Sequence, residues 1–124
     1  MNVLKQQELA KKLRILITDI SYKSKAHHIG SAFSCIDILI SLYSNTLDYN
    51  LKNQNYDKQD WFYLSKGHAG IVLYATLASV GFFEKEELMK LNQEQLLGEH
   101  PDRRIPGVEI DSGSLGHGLG IATG

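Results

Sequence analysis

Trp61-Phe62-Tyr63-Leu64-Ser65-Lys66-Gly67-His68 is the stretch that decides the fold: an aromatic, apolar run of strand length stops at a glycine turn. Aromatic side chains favour the half-buried, extended surface of a sheet, so residues 61–64 read as a strand. A helical pattern follows at once, carried by Ile71, Leu73, Tyr74, Leu77, Ala78 and Val80, and Gly81 suits the left-handed residue that ends such a helix. Strand, glycine turn and helix in succession predict an α/β fold, with helices flanking a mostly parallel sheet. The Ser65–His68 turn falls at the carboxyl end of the strand, where open α/β sheets bind ligands. His68 there suits a phosphate oxygen; the same residues also read as a plain strand-to-helix turn with Ser65 capping and Lys66 in solvent.

Outward from this unit, Leu9, Leu13, Leu16, Ile17 and Ile20 recur at helical spacing over residues 4–24 and predict an amphipathic first helix. Ser34 with Asp37 three positions on has the capping-box pattern, which places a second helix from Ser34 to about Tyr43. Residues 45–60 lack apolar periodicity and read as a surface loop. Glu84 to Leu91 gives a short charged helix in which Glu84, Glu86 and Glu87 form one solvated face. Residues 92–107 read as loop, and Val108-Glu-Ile110 as a very short strand. Gly113, Gly116, Gly118 and Gly120 then lead into what looks like the first turn of another helix, Leu119 to Gly124.

Composition narrows the function. The chain has 124 residues, 43% of them hydrophobic, and a net charge of −1. That suffices for one core, and leaves no basic face of the kind that holds nucleic acid through its phosphates. No apolar run is long enough to span a bilayer and the N-terminus lacks a signal-peptide core, so a cytoplasmic protein is expected. Cys35 lies among Ile36, Ile38, Leu39 and Ile40 and reads as a small buried hydrophobe. The histidine spacings fit no zinc signature.

All five histidines lie in or beside glycine-containing segments: His27-His28-Ile-Gly30, Ser65-Lys-Gly-His68, Gly98-Glu-His100-Pro101 and Gly116-His117-Gly118. Glycine admits close approach of backbone to a ligand, and imidazole both donates and accepts near neutral pH. That pairing suits a polar, anionic cofactor. The glycine run at 113–120 aims free amides forward, as a ligand loop or a flexible connection, but matches neither the dinucleotide fingerprint nor a P-loop.

In order along the chain, His28-Ile-Gly30, Ser34-Cys-Ile-Asp-Ile-Leu39, Leu42-Tyr43, Ser65-Lys-Gly-His68, Leu73-Tyr-Ala75, Gly81-Phe82, His100-Pro101, Pro106-Gly-Val108 and Gly113-Ser-Leu-Gly-His-Gly118 resemble the start of the transketolase family. The likeness covers about residues 10–124 and is closest to the short N-terminal subunits of split bacterial transketolases, where a basic pair like Arg103-Arg104 follows His-Pro. It implies thiamine diphosphate with Mg²⁺ or Ca²⁺, and transfer of a two-carbon ketol unit between sugar phosphates. By resemblance His68 contacts the diphosphate, and Gly113, Ser114 and Leu115 bring backbone against the aminopyrimidine. His28 and His100 match histidines that bind substrate hydroxyls and shuttle protons. His27 and Glu99 stand where the family usually has glycine, and His117 where glutamine is frequent.

The family's metal ligands, in a Gly-Asp-Gly segment and a later asparagine, are expected beyond Gly124. The glutamate that activates the aminopyrimidine belongs to a separate pyrimidine-binding domain. Residues 1–124 are therefore expected to be a partial diphosphate-binding domain, active only with its remainder and a pyrimidine-binding partner in a dimer or heterotetramer. The alternative reading is a non-catalytic remnant or interaction module that keeps the fold pattern.

Overall fold

The computed structural model describes residues 1–52, 58–92 and 98–124. Helix α1 (Val3–Ser24) begins where the Asn2 side chain accepts the Lys5 N–H, and ends at Lys25, which adopts a left-handed conformation. Its inward face is Ala10, Leu13, Ile17 and Ile20, the apolar period read from the sequence. Helix α4 (Gly70–Val80) is the centre of the structure, because every residue from Gly70 to Ala78 is buried. Such all-round burial requires neighbours on several sides, and α1, α2 (Ile29–Phe33) and α3 (Ile36–Ser41) supply them. Each fully buried Leu or Ile contributes about 1.5–3 kcal/mol. Gly81 closes α4 as expected, with φ 99°. The Phe82 N–H reaches back to the Leu77 carbonyl at 3.0 Å, which satisfies one of the helix's last acceptors.

The helix expected from Ser34 begins two residues later, and a short helix, α2, which the sequence reading did not include, precedes it. Helix α2 ends at Phe33, α3 starts at Ile36, and no side-chain cap precedes α3. Both residues of the expected capping box are engaged elsewhere. Ser34 Oγ donates to the Ser31 carbonyl and accepts from Lys66 Nζ, while Asp37 pairs with Arg14 of α1 at 2.5 Å. Tertiary partners have displaced the local cap. Helix α3 then continues through one wider π-type turn, Leu42–Thr46, beyond the expected end near Tyr43.

The two expected strands are not seen: among the described residues there is no strand. A strand exists only through its ladder, and residues 61–64 find none. The Ser65 N–H turns back to Tyr63 O, and Leu64 O accepts from the Ser112 hydroxyl at 2.9 Å. Val108 likewise donates within a turn, to Ile105 O. Leu64 and Val108 still face the core, so the apolar pattern located buried positions, while no pairing partner lies among the described residues.

Lys85–Lys90 forms a 3₁₀ stretch with Leu88 buried and Glu84, Glu86 and Glu87 exposed. Part of each expected loop, 53–57 and 93–97, lies outside the described residues. The first loop is pinned at its base, where Asp60 N–H donates to Asp48 O and Asp48 N–H to the Asp60 carboxylate. Helix α5 (His117–Thr123) occupies the expected last helix. Cys35 is half-buried, its thiol turned to the carbonyls of Ser31 and Ala32, and burial pushes its pKa up. It is a poor nucleophile there.

Candidate functional site

Three glycines let separate backbones meet on the Ser65–Gly70 turn. A Cβ at Gly67 would stand 2.5 Å from Ser112 O and 2.8 Å from Gly113 N; one at Gly70 would stand 2.5 Å from Glu99 O. At Gly118 it would meet Ser65 Cβ at 2.9 Å. Those distances leave room for hydrogen only. The turn therefore collects the 99–101 segment, the 112–113 loop and the start of α5.

Hydrogen bonds hold the same junction. Ser65 does not cap its own helix: its Oγ accepts the Gly118 N–H at 3.0 Å, in the first turn of α5. It supplies the cap oxygen that Gly116, preceding that helix, lacks. Ser65 O accepts from Gly116 N, and Pro101 O from Ser112 N. Lys66 is not simply solvated, because its ammonium group donates to Ser31 O at 2.9 Å and to Ser34 Oγ at 2.5 Å. It anchors the turn to α2.

Around this junction the structure brings together the three histidines singled out from the sequence. The His28 and His68 rings meet edge to face with centroids 5.2 Å apart. The His100 ring lies beside Gly113, its Cδ2 3.5 Å from where a Cβ would stand. Partial burial lowers the His68 pKa, and repulsion from His28, Lys66 and His100 lowers it further. An anion bound beside His68 would relieve that repulsion. Gly113, Ser114 and Leu115 are exposed, and among the described residues their amides donate to no acceptor. The edge therefore offers free backbone donors beside the imidazoles. His117 is exposed on α5 rather than part of the cluster's contacts.

Two supporting residues escaped the sequence reading. Tyr74 is fully buried in α4, and its hydroxyl donates to the His100 carbonyl at 2.5 Å. The signal was present, since a tyrosine in a buried apolar run needs a partner for its hydroxyl. Tyr74→Phe is expected to leave that carbonyl unpaired and to lower stability by about 1–3 kcal/mol. Urea midpoints of parent and variant check it. The second residue is Asp111, which accepts from the Arg103 N–H at 2.7 Å and pairs with its guanidinium. It closes the base of the 102–111 loop. Arg104 pairs with Asp102 at 2.5 Å and, with its hydrogen bonds, holds that carboxyl down at about 2.

Among the described residues no group of three or more His, Cys, Asp or Glu side chains could hold a metal ion, and no helix is long and apolar enough to cross a membrane.

Comparison with known proteins gives this junction a family. Residues 5–124 match the family profile described as transketolase, thiamine diphosphate binding domain. The chain is 37% identical over 116 residues to one of the subunits of the apulose-4-phosphate transketolase of Phocaeicola vulgatus, covering 93% of this chain and 41% of that protein. It is 36% identical over 120 residues to a 6-deoxy-6-sulfo-D-fructose transketolase subunit of Clostridium sp. (strain MSTE9), covering 95% of this chain and 44% of that protein. Human transketolase is 34% identical over 119 residues, covering 95% of this chain and 19% of that enzyme. Transketolase from Leishmania mexicana superimposes with a TM-score of 0.84 at 28% identity, over 92% of this chain and 18% of that one. The chain thus spans less than half the length of each of these relatives. Its fold over the matched residues is theirs, and the chain belongs to the transketolase family, within the thiamine diphosphate binding domain.

Proposed function

We propose that this chain provides the diphosphate-binding side of a transketolase, moving a two-carbon ketol unit from a ketose phosphate to an aldose phosphate together with a pyrimidine-binding subunit. The convergence of His28, His68 and His100 on one glycine-built junction carries the reading. The donor set fits thiamine diphosphate: imidazoles and free amides suit an anionic tail and a polar ring, and the repulsion felt by His68 falls when an anion arrives. Once bound, the cofactor supplies the nucleophilic carbon and the electron sink that ketol transfer needs.

The chain's own residues bind, orient and move protons. His68 donates to a diphosphate oxygen. The backbone of Gly113, Ser114 and Leu115 borders the aminopyrimidine. His28 and His100 hold the substrate's hydroxyls and exchange protons there. The described residues hold no group that fits a divalent cation, so Mg²⁺ or Ca²⁺ would be held by other parts of the assembly. In the same reading residues 61–64 form one strand of a mostly parallel sheet, paired by backbone that the described residues do not include. The assembly is a dimer or heterotetramer working in the cytoplasm.

The test separates binding from turnover in the assembly co-purified with a pyrimidine-binding subunit. His68→Ala is expected to weaken thiamine diphosphate by about 10–100-fold, the loss of one charge-assisted hydrogen bond. His100→Ala should leave cofactor affinity nearly intact and lower turnover by about 100-fold or more. The pH dependence has a definite sign. Free His68 is depressed below its ordinary value, whereas an adjacent diphosphate favours its charged form. Binding should therefore take up a proton near pH 6.5, and affinity should rise as pH falls toward the free-state pKa. Titration calorimetry in buffers of different ionisation heat reads this uptake; unchanged uptake in His68→Ala would show that another group binds the diphosphate.

A further inference from the structure

One carboxylate joins the two segments that carry His28 and His100. Glu99 directly precedes His100, and His27 directly precedes His28. Glu99 Oε1 accepts the His27 backbone N–H at 3.3 Å and lies 3.2 Å from His27 Nδ1, which donates in its Nδ1-protonated forms. Asn92 Nδ2 donates to the same oxygen at 3.2 Å. The Glu99 side chain is about four-fifths covered, with 21% exposed, while that of His27 is 78% exposed. Burial pushes the Glu99 pKa up, but the bonds from His27 and Asn92 outweigh it and hold the carboxyl below its ordinary value.

What this contact holds in place is strained. His28 has φ 65° and Asn92 φ 60°, left-handed conformations that residues with a Cβ adopt only where their surroundings impose them. No side chain caps α2 at His28, so the turn before that helix has no local anchor of this kind. On the other side, Glu99 O lies against the bare Cα of Gly70, and the His100 carbonyl is fixed by Tyr74. The 99–100 segment is thus rigidly seated on α4. Through Glu99 the left-handed turn is tied to that rigid seat.

We propose that Glu99 is a positioning residue: clasped to His27, it fixes the spacing of the His28 and His100 imidazoles so that one substrate can engage both. The proposal rests on the assignment of those two histidines to substrate. Glu99 touches the backbone and ring of His27 rather than the reacting atoms, so its effect belongs to substrate handling and not to cofactor binding.

In the co-purified assembly, Glu99→Ala is expected to lower kcat/KM for the ketose phosphate by about tenfold, with thiamine diphosphate affinity unchanged. His27→Ala keeps the backbone N–H bond to Glu99 and should cost a smaller factor, and the double variant should lose little more than Glu99→Ala alone, because Glu99→Ala already removes both bonds. Glu99→Gln keeps an acceptor oxygen at the same reach and should recover most of the loss. A readout independent of activity is the His28 imidazole resonance in histidine-labelled assembly without cofactor or substrate. Glu99→Ala should shift it, His27→Ala should shift it in the same direction by less, and Glu99→Gln should restore it toward the parent. Additive losses, a fall in cofactor affinity as large as the fall in kcat/KM, or an unmoved His28 resonance each overturn the clasp. A parent assembly that transfers no ketol unit counts against the transketolase reading, and the resonances then decide the clasp by themselves.

Discussion

Gly67→Ala is expected to abolish ketol transfer by the assembled enzyme and to lower the stability of the chain by about 1–3 kcal/mol. The added methyl would stand 2.5 Å from Ser112 O and 2.8 Å from Gly113 N, both backbone atoms, so no side-chain rotation relieves the clash. The 112–113 loop has to retreat. Retreat stretches the Ser112 hydroxyl bond to Leu64 O and carries the amides of Gly113, Ser114 and Leu115 away from His68. Gly120 is the contrasting case, a glycine inside α5 with nothing within 4 Å of its Cβ position. There alanine removes only chain freedom, and Gly120→Ala should gain roughly 0.5–1 kcal/mol. Urea midpoints and cofactor-dependent turnover of the two variants measure both effects. Equal midpoints would mean that the loop does not press on the turn as described.

The opposite behaviour of these two glycines shows where sequence reasoning stops. That histidines recur beside glycines was legible, and it pointed to the junction that His28, His68 and His100 share. Why the glycines are there was not. Gly67, Gly70 and Gly118 make room for residues far away along the chain, and no local pattern reports such an approach. Lys66 looked like a solvated turn residue for the same reason, since its acceptors, Ser31 and Ser34, lie far back in the sequence. His27 and Glu99 each read as a separate departure from the family's glycine; only the structure shows that the two departures touch.

Helices followed a parallel logic. Apolar period located α1 because its burial repeats with the helical turn; α4, buried on every side from Gly70 to Ala78, was located by its apolar residues, and Gly81 marked its end because the left-handed region satisfies that terminus. The later start of α3 escaped notice because Ser34 and Asp37, read as its cap, are held by Lys66 and Arg14. At residues 61–64 the aromatic run reported a half-buried extended chain. It could not report a ladder, which depends on another stretch of backbone.

The second large effect concerns dependence on the rest of the assembly. The 124-residue chain purified by itself is expected to turn over no ketose phosphate and to bind thiamine diphosphate with Mg²⁺ too weakly for titration calorimetry to detect. The described residues hold no cluster able to ligate a metal ion, so the diphosphate charge would be met only by His68, its basic neighbours and backbone amides. Leu115 and Leu119 are 70% and 72% exposed, which leaves the 113–116 loop and α5 without an apolar layer across them among the described residues. Fixing a backbone residue costs about 1–2 kcal/mol, so ordering the exposed 113–116 stretch for the ligand consumes several kcal/mol before any contact becomes favourable. On the proposed reading, supplying the parts of the relatives that this chain does not span, together with a pyrimidine-binding subunit, should provide both the charge and the covering layer, and activity should appear only then. Ketose phosphate turnover by the chain alone, or tight Mg²⁺-dependent cofactor binding to it, would show that the described residues already form a complete site.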